Sequence, residues 1–226
     1  MVWSRVLRRD AAAQDHRLEI IYIAALCGAF VGAKAVYFFA EGWRVLLDPA
    51  LTREQVILAL LTGKTITGAL LGGYITVEIA KKLVEYTKPT GDFFAVVAPF
   101  GLMFGRVGCF IQGCCPGVAM DAHWYTLADA HGVARWPAVP VEFAFNFTMF
   151  IVGVVLYRRR AFPGQLFHLY LIAYGIFRFG HEFARDIPPL IGPITGYQIA
   201  AIAIVLLGAL RYRHRAATVT AHDYSG

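Results

Sequence analysis

Charge is scarce in this chain: Asp, Glu, Lys and Arg make up 16% of its 226 residues, whereas soluble proteins carry about 25%. Apolar residues make up 58%, and the mean hydropathy is +0.56. A soluble core could not hide so much apolar surface. The composition therefore excludes an ordinary soluble domain and predicts a polytopic helical membrane protein.

Several other features are missing. The N-terminal stretch VWSRVLRRDAAAQDHR has no apolar core and no small-residue cleavage site, so we expect no cleavable signal peptide. The four cysteines form no framework of spaced pairs. No repeat, low-complexity segment or long linker divides the chain. The net charge of +6 comes in short basic clusters between apolar runs, which indicates topology signals rather than a nucleic-acid surface.

Six long apolar segments are present, and most approach the ~20 residues that cross a ~30 Å hydrocarbon core. The fourth is short, and the stretch LTGKTITG interrupts the second, which we expect to be broken or tilted there. The sequence predicts an all-α bundle of about six transmembrane helices. The segments are 18–40, 55–80, 93–115, 140–157, 164–184 and 195–212.

Basic residues alternate between the two sides of these segments. Thirteen of the 21 Lys and Arg lie on the side that both termini share: before span 1, between spans 2 and 3, between spans 4 and 5, and after span 6. Four lie on the opposite side. The positive-inside rule then puts both termini in the cytoplasm. We expect a cytoplasmic segment (1–17), one integral membrane domain (18–212) and a cytoplasmic tail (213–226).

Four basic residues remain inside or near the spans: Lys34, Lys64, Arg106 and Arg178. A charge at membrane depth costs several kcal/mol, so each is a candidate functional residue. In the predicted topology all four lie in the outer half of the membrane. Lys34 and Lys64 are also long enough to reach the outer interface, and Arg178 could simply pair with Glu182 one turn later.

Span 5 carries the clearest constellation, in LIAYGIFRFGHEFARD. Arg178, Glu182 and Arg185 follow one another at i, i+4 and i+7 and share a helix face, with His181 beside it. Arginine presents a planar fork of donors that matches phosphate oxygens. Arg106, in GRVG of span 3, could complete a clamp for a lipid phosphate near the outer leaflet. Gly105 and Gly108 would let a helix or a headgroup approach the backbone.

These segments resemble the prolipoprotein diacylglyceryl transferase family in order and spacing. The resemblance covers most of 18–212, and the GRxG and YGxFRFxxEFxR segments carry it most specifically. The matching stretches are GALLGGY (68–74), APFGLMFGRVGCFIQG (98–113), RWPAVPVE (135–142), GQLFHLYLIAYGIFRFGHEFAR (164–185) and TGYQ (195–198).

The resemblance implies an enzyme that moves the diacylglyceryl group of phosphatidylglycerol to the thiol of a lipobox cysteine and releases glycerol phosphate. Its motifs assign catalytic roles to Arg106, Arg178 and Glu182. Further substrate-binding candidates are Lys34, Lys64, Gly105, Gly108, Arg135, Glu142 and Arg185. We predict no metal ion, no cofactor and no nucleic-acid partner. The expected location is the bacterial cytoplasmic (inner) membrane, with the site toward the outer leaflet and a prolipoprotein as acceptor.

The chain also departs from the family pattern. Thr67 stands where the family has a histidine, and Cys109, Gln112 and Cys114 replace asparagines and a glutamate. RWPAVPVE keeps Arg135 and Glu142 but loses a His, a Gln and a Tyr. The first of the family's seven spans is missing from our count, and the head between spans 3 and 4 is short. The donor side thus looks retained and the acceptor side rebuilt.

These departures leave two alternative functions open. The chain could be a divergent paralogue with a non-lipoprotein acceptor, or a non-catalytic module that binds or transports phospholipid. An acceptor thiol would need a base, and His123, His131, His181 and Glu142 are candidates by residue type.

The cysteines Cys109, Cys114 and Cys115 allow four interpretations. They could be small buried packing residues, or a disulfide, which adjacent cysteines form only with strain. They could form a zinc site, although C-x₄-C-C is not the usual ligand spacing. They could also supply a reactive thiol, since Arg106 three residues before Cys109 could favour its thiolate. Cys27, in span 1, is expected to serve packing.

Overall fold

A computed structural model describes residues 16–223 and their side chains as far as Arg215. The structure is helical, as predicted, with one small hairpin. Its helices are α1 (His16–Tyr37), continued by a π-helical turn (Phe38–Gly42) into α2 (Trp43–Leu47), then α3 (Arg53–Thr62), α4 (Ile66–Leu83), α5 (Gly91–Ile111), α6 (Ala138–Arg158), α7 (Leu166–His181), a 3₁₀ turn (Glu182–Ala184) and α8 (Gly196–Asp223). The hairpin strands are β1 (Leu127–Ala128) and β2 (Ala134–Arg135). Most of the expected N-terminal segment 1–17 lies outside the described residues.

Within residues 16–223, three helical segments are long and apolar enough to cross a membrane: His16–Leu47, α5 and α6. The bent pair α3 and α4 makes a fourth if it is one span. Helix α7 has only 16 residues, fewer than the ~20 of a full crossing. The predicted all-α fold is thus confirmed, whereas the lengths and compositions of the described helices support three to four spans and do not confirm the count of about six.

The described chain divides into two compact units. The first comprises the chain up to Phe38 together with Asp48–Lys88, and the second comprises Phe39–Leu47 together with the chain from Pro89 onward. In the first unit, α1 and α4 cross at backbone contact. A Cβ added to Gly32 would lie 2.3 Å from the Gly68 carbonyl oxygen, and one added to Gly72 would lie 2.2 Å from that of Gly28. Glycine is therefore required at this crossing.

The predicted interruption of the second apolar segment is confirmed as a 56° bend between α3 and α4. Helix α4 starts afresh because the Thr65 hydroxyl accepts the Gly68 backbone N–H at 2.9 Å. Lys34 reaches across from α1 and donates its ammonium to the carbonyls of Leu60, at 2.8 Å, and Leu61 at the end of α3. A cation at the end of a helix offsets its unsatisfied carbonyls.

In the second unit, α5 pairs with α6 and α7 pairs with α8. A Cβ on Gly175 of α7 would lie 2.9 Å from the Ala201 carbonyl oxygen of α8, which explains a glycine there. Asp92, at the start of α5, accepts the backbone N–H groups of Gly164 at 2.5 Å and Leu166 at 3.1 Å. This carboxylate caps the N-terminus of α7 and so ties α7 to α5.

The chain between α5 and α6 forms a short head. Val118 donates its backbone N–H to the Ala184 carbonyl at 3.0 Å and accepts that of Trp136 at 3.0 Å. Arg135 donates to Asp129 at 2.6 Å and to Asp186 at 2.9 Å. These bonds hold the head against the end of α7, where the predicted site residues lie.

Candidate functional site: a buried cluster of arginines and glutamates

Glu142, in the first turns of α6, is the centre of the cluster. Its side chain is 2% exposed and forms ion pairs with Arg106 of α5, with Arg178 of α7 at 2.5 Å and with Arg185 at 3.0 Å. The sequence analysis named Glu142 only as one of several candidates for substrate binding or for the general base. The structure makes it the carboxylate that gathers the three predicted arginines.

A second carboxylate, Glu182, supports Arg178 from the 3₁₀ turn that directly follows α7. The pair spans one helical turn at 2.7 Å, as the i, i+4 spacing predicted. The Thr195 hydroxyl donates to the other oxygen of Glu182 at 3.3 Å. The 3₁₀ turn after α7 carries the chain from Glu182 to Arg185, so Arg185 reaches Glu142 although α7 itself ends at His181.

The charges in this cluster do not cancel. Arg106, Arg178 and Arg185 expose between 7% and 8% of their side chains and contribute three positive charges, against two negative charges from Glu142 and Glu182. Among these five side chains, one positive charge is therefore left over in a buried site. A buried charge is costly unless a partner offsets it, so the cluster is suited to receive one anion.

Unused donors point to the same conclusion. Within residues 16–215, the buried Nε atoms of Arg106, Arg178 and Arg185 have no hydrogen-bond partner; the same holds for one oxygen each of Glu142 and Glu182, although both carboxylates are ion-paired, and for the His181 ring nitrogens. Buried donors are nearly always paired in folded proteins. An anion with several oxygens would satisfy them together with the surplus charge, and a phosphodiester meets both requirements.

His181 lies against the cluster. Its Nδ1 is 3.5 Å from a Glu142 oxygen, and its ring stacks on Phe177 with 5.1 Å between centroids. Of the four candidate general bases, two, His181 and Glu142, therefore lie side by side in the cluster. His123, stacked on Tyr125, and His131 are exposed in the head loop.

Three residues of the site were not assigned roles from the sequence. Tyr174 is fully buried one turn before Arg178, and its hydroxyl has no hydrogen-bond partner among the described residues. Thr195 holds Glu182, and Gln198 accepts the Thr195 backbone N–H at 2.8 Å. The i−4 spacing from Arg178 was a usable signal for Tyr174. Thr195 and Gln198 belong to the TGYQ stretch, whose role only the fold reveals.

Other predicted residues have different surroundings. Lys34 lies in the first unit and caps α3, and Lys64 is exposed at the α3–α4 break. Thr67, in place of the family histidine, is buried in the first unit and donates to the Thr65 hydroxyl at 3.3 Å. Arg135 braces the head.

Gly105 and Gly108 leave open space on α5, since, apart from the adjoining backbone of α5 itself, no described atom lies within 4 Å of where their Cβ would be. No other described helix therefore approaches the backbone at these two glycines. The space stays available to a ligand, and their substrate-binding role stays a prediction.

The cysteines do not fit the packing interpretation. Cys114 is exposed and Cys109 and Cys115 are half-buried, whereas that interpretation required buried side chains. Cys27 is exposed as well, so its expected packing role is wrong for the described chain. All four are free thiols in this structure.

Comparison with known proteins agrees with the motif resemblance. The sequence profile described as prolipoprotein diacylglyceryl transferase matches residues 1–213. Proteins named phosphatidylglycerol–prolipoprotein diacylglyceryl transferase are similar to this chain. The one from Mannheimia succiniciproducens is 27% identical, with 94% of this chain and 83% of the relative covered. The one from Campylobacter curvus is 30% identical, with 89% and 77% covered. No solved structure matches the chain.

Proposed function

Because the chain belongs to the prolipoprotein diacylglyceryl transferase family, we propose that it transfers the diacylglyceryl group of phosphatidylglycerol to the cysteine thiol of a prolipoprotein. The observation that carries the assignment of roles is the buried cluster with one surplus positive charge and three unused Nε donors. The relatives named above supply the reaction class, and the cluster supplies a place for the lipid phosphate.

In this proposal the arginines bind the phosphodiester of the donor lipid. Arg106 and Arg178 come from different helices and face the same carboxylate. Glu142 and Glu182 hold the guanidinium groups in place before substrate arrives. Because the donors are already oriented, no reorganisation is needed during the reaction, which is how fixed dipoles and charges lower a barrier.

The reaction exchanges one bond at the glyceryl carbon. The acceptor thiol gives up its proton to a base, its sulfur attacks the carbon that carries the phosphate, the C–O bond breaks, and the electron pair of that bond leaves with glycerol phosphate. The leaving phosphate gains a negative charge as this bond breaks. Arg106 and Arg178 stabilise that charge, and Arg185 adds a third positive group at the edge of the cluster.

We also propose that the chain crosses the membrane six times with both termini in the cytoplasm. Contacts within the second unit support this arrangement. On the expected outer side, Arg44 donates to the Pro189 carbonyl at 2.6 Å and Arg135 pairs with Asp186. On the expected inner side, Asp92 caps α7, and Gln165 donates to the Tyr212 carbonyl at 3.0 Å. Segment ends assigned to one side thus contact one another, and the arginine cluster then faces the outer leaflet.

Complementation tests the proposed function in cells. A bacterial strain depleted of its own diacylglyceryl transferase would express this chain, its Arg178→Ala variant or an Arg158→Ala control, with Arg158 exposed at the end of α6. We expect the wild-type chain and the control to restore growth and lipoprotein modification, and Arg178→Ala to fail at equal membrane abundance. Unmodified prolipoprotein despite abundant wild-type chain would contradict the proposal.

A further inference from the structure

The segment after α5 folds three cysteines into one group. Helix α5 ends at Ile111, and the Cys114 backbone N–H bonds to the Cys109 carbonyl at 3.1 Å, so the chain turns back over the helix end. Gly113 and Cys115 both have left-handed backbones, with φ of 63° and 61°. That conformation is unfavourable for cysteine. It is held here by the pairing of the following head segment, where Gly117 pairs with Arg185.

The result is a triangle of sulfur atoms. The Sγ atoms of Cys109, Cys114 and Cys115 all lie within 4.8 Å of one another, and those of Cys114 and Cys115 are 3.9 Å apart. Sulfurs at about 2.3 Å from a tetrahedral zinc ion lie about 3.8 Å from each other. The linear spacing C-x₄-C-C did not indicate a metal site, because the left-handed turn that closes the triangle is not visible in it.

The triangle is accessible and lies beside the arginine cluster. Cys114 is exposed, so an ion can enter without unfolding the chain. The Arg106 Nη1 lies 3.7 Å from the Cys109 sulfur. Among residues 16–215, no His, Asp or Glu joins the three cysteines as a fourth ligand. A zinc ion bound here would keep one coordination position open, which is the arrangement of catalytic rather than structural zinc sites.

We propose that Cys109, Cys114 and Cys115 bind one Zn²⁺ whose open position takes the acceptor thiol. The second part rests on the proposed function, since it assumes a thiol acceptor. It also addresses the missing family histidine, because a thiol is deprotonated when it coordinates zinc. The metal thus replaces a general base.

The step balances without a redox partner. The acceptor thiol displaces water from zinc and releases its proton to solvent. The bound thiolate attacks the glyceryl carbon and forms a C–S bond, while the C–O bond to phosphate breaks. Glycerol phosphate leaves with the electron pair, next to Arg106 and Arg178. Zinc remains divalent, and the thioether product is a weaker ligand than the thiolate, so it can dissociate.

Metal analysis of the full-length protein tests the site without any lipid chemistry. The protein would be purified in detergent under anaerobic, reducing conditions, stripped by a chelator and titrated with Zn²⁺. We expect one zinc per chain. Replacement of Cys109, Cys114 or Cys115 by Ser should weaken binding by more than the ~10–100-fold that losing an outer-shell partner costs. Cys27→Ser, at an exposed cysteine of the first unit, is the matched control and should bind normally.

Cobalt substitution tests the open position. Co²⁺ at the site should show thiolate charge-transfer absorption that changes when a lipobox peptide is added and does not change with a Cys-to-Ser peptide. Failure to bind zinc, preference for Cu⁺ alone, a Cys109–Cys114 disulfide in freshly isolated protein, or an equal effect of Cys27→Ser would overturn the site. Zinc binding with no response to the peptide would overturn the acceptor role. Absence of lipid transfer in a protein that still binds zinc would instead count against the proposed function.

Discussion

Among single residues, Glu142 is the most connected member of the cluster, because it is ion-paired with three guanidinium groups. The same contacts make it sensitive to substitution. Removing its charge would leave Arg106, Arg178 and Arg185 with Glu182 as the remaining carboxylate of the cluster. Breaking one partner of a buried ion pair typically costs about 3–5 kcal/mol, because the other charge stays buried without compensation. Glu142 is therefore expected to contribute to stability as well as to arginine orientation.

The variant Glu142→Gln separates these contributions. We expect it to unfold at a lower temperature than wild type in neutral detergent, since net positive charge accumulates in the cluster. Phosphatidylglycerol should raise its melting temperature more than it raises that of wild type, because the lipid phosphate offsets the added charge. Phosphatidylcholine, which carries no net charge, is the control lipid. Equal stabilisation by both lipids would show that the cluster does not bind the anionic headgroup.

Asp129 offers a pH-dependent test outside the membrane segments. Hydrogen bonds from Arg135 and from the backbone N–H groups of Val133 and His131 lower its pKa to about 2. A carboxyl whose pKa is lowered in the fold stabilises the fold above its ordinary pKa of about 3.9, and the contribution is lost as the pH falls toward 2. The head loop should therefore keep its structure from neutral pH down to about pH 4.

Hydrogen exchange at the His131 and Val133 amides measures this directly. Relative to the intrinsic rates, protection should be unchanged between pH 7 and about pH 4 and fall below that. In Asp129→Asn, protection should be reduced already at neutral pH. Protection in the variant equal to that of wild type would mean that the carboxylate does not order the loop.

How far the sequence predicts the site depends on the distance between its residues along the chain. The pair of Arg178 and Glu182 follows from helical spacing, and the structure confirms it. Glu142 and Arg178 are 36 residues apart, and no local pattern connects them. Their ion pair comes from the packing of α6 against α7. Similarly, the cysteine triangle depends on two left-handed residues that spacing does not reveal.

Among the secondary-structure elements, α1 and α4 make the closest backbone contact described above, and their glycines determine how closely the two helices approach. Gly72 has the Gly28 carbonyl oxygen 2.2 Å from where its Cβ would be, and Gly101 of α5 has no described atom within 4 Å apart from the adjoining backbone of α5. Alanine is favoured over glycine in a helix by about 0.5–1 kcal/mol. Overpacking a close contact costs about 1–3 kcal/mol. Replacement by alanine is therefore expected to destabilise the fold at Gly72 and to leave it unchanged or stabilise it at Gly101.

Gly72→Ala should lower the melting temperature in detergent, and Gly101→Ala should leave it unchanged or raise it. Both sites lie in the middle of helices, so the comparison holds helix propensity constant. Thermal unfolding followed by circular dichroism provides the measurement. A decrease of equal size in both variants would indicate that backbone contact between α1 and α4 does not determine the effect.

At this scale apolar length predicts the helices well and their ends less well. The interruption at LTGKTITG is readable because Gly63 and the capping Thr65 lie inside an apolar run. The fourth segment, expected over 140–157, is a helix from Ala138 to Arg158. It adds Ala138 and Val139 at the start and Arg158 at the end, and of these an apolar count excludes only the charged Arg158. Helix ends depend on local hydrogen bonds that hydropathy does not contain.

For the whole molecule, the distribution of basic residues predicts six crossings with both termini in the cytoplasm. Reporter fusions test this prediction. A reporter active only outside the cytoplasm should be active when inserted at residues 121–123 of the head, and inactive after Arg160 or at the C-terminus. Activity at the C-terminus would contradict its cytoplasmic location. The topology can be predicted because the basic residues of each loop can be counted from that loop's own sequence. The packing of the helices cannot, because it depends on contacts between residues far apart in the chain.

The central claim is that the buried arginines hold a lipid phosphate while its diacylglyceryl group moves to a thiol. A reconstituted assay with labelled phosphatidylglycerol and a lipobox peptide measures both products, the lipidated peptide by mass and the released glycerol phosphate. We expect equal amounts of the two from wild type. Arg106→Ala should reduce both by about 10²–10³-fold, as loss of one charge-stabilising donor does, with melting temperature and membrane abundance as folding controls. Wild-type rates in a folded Arg106→Ala protein would contradict the account.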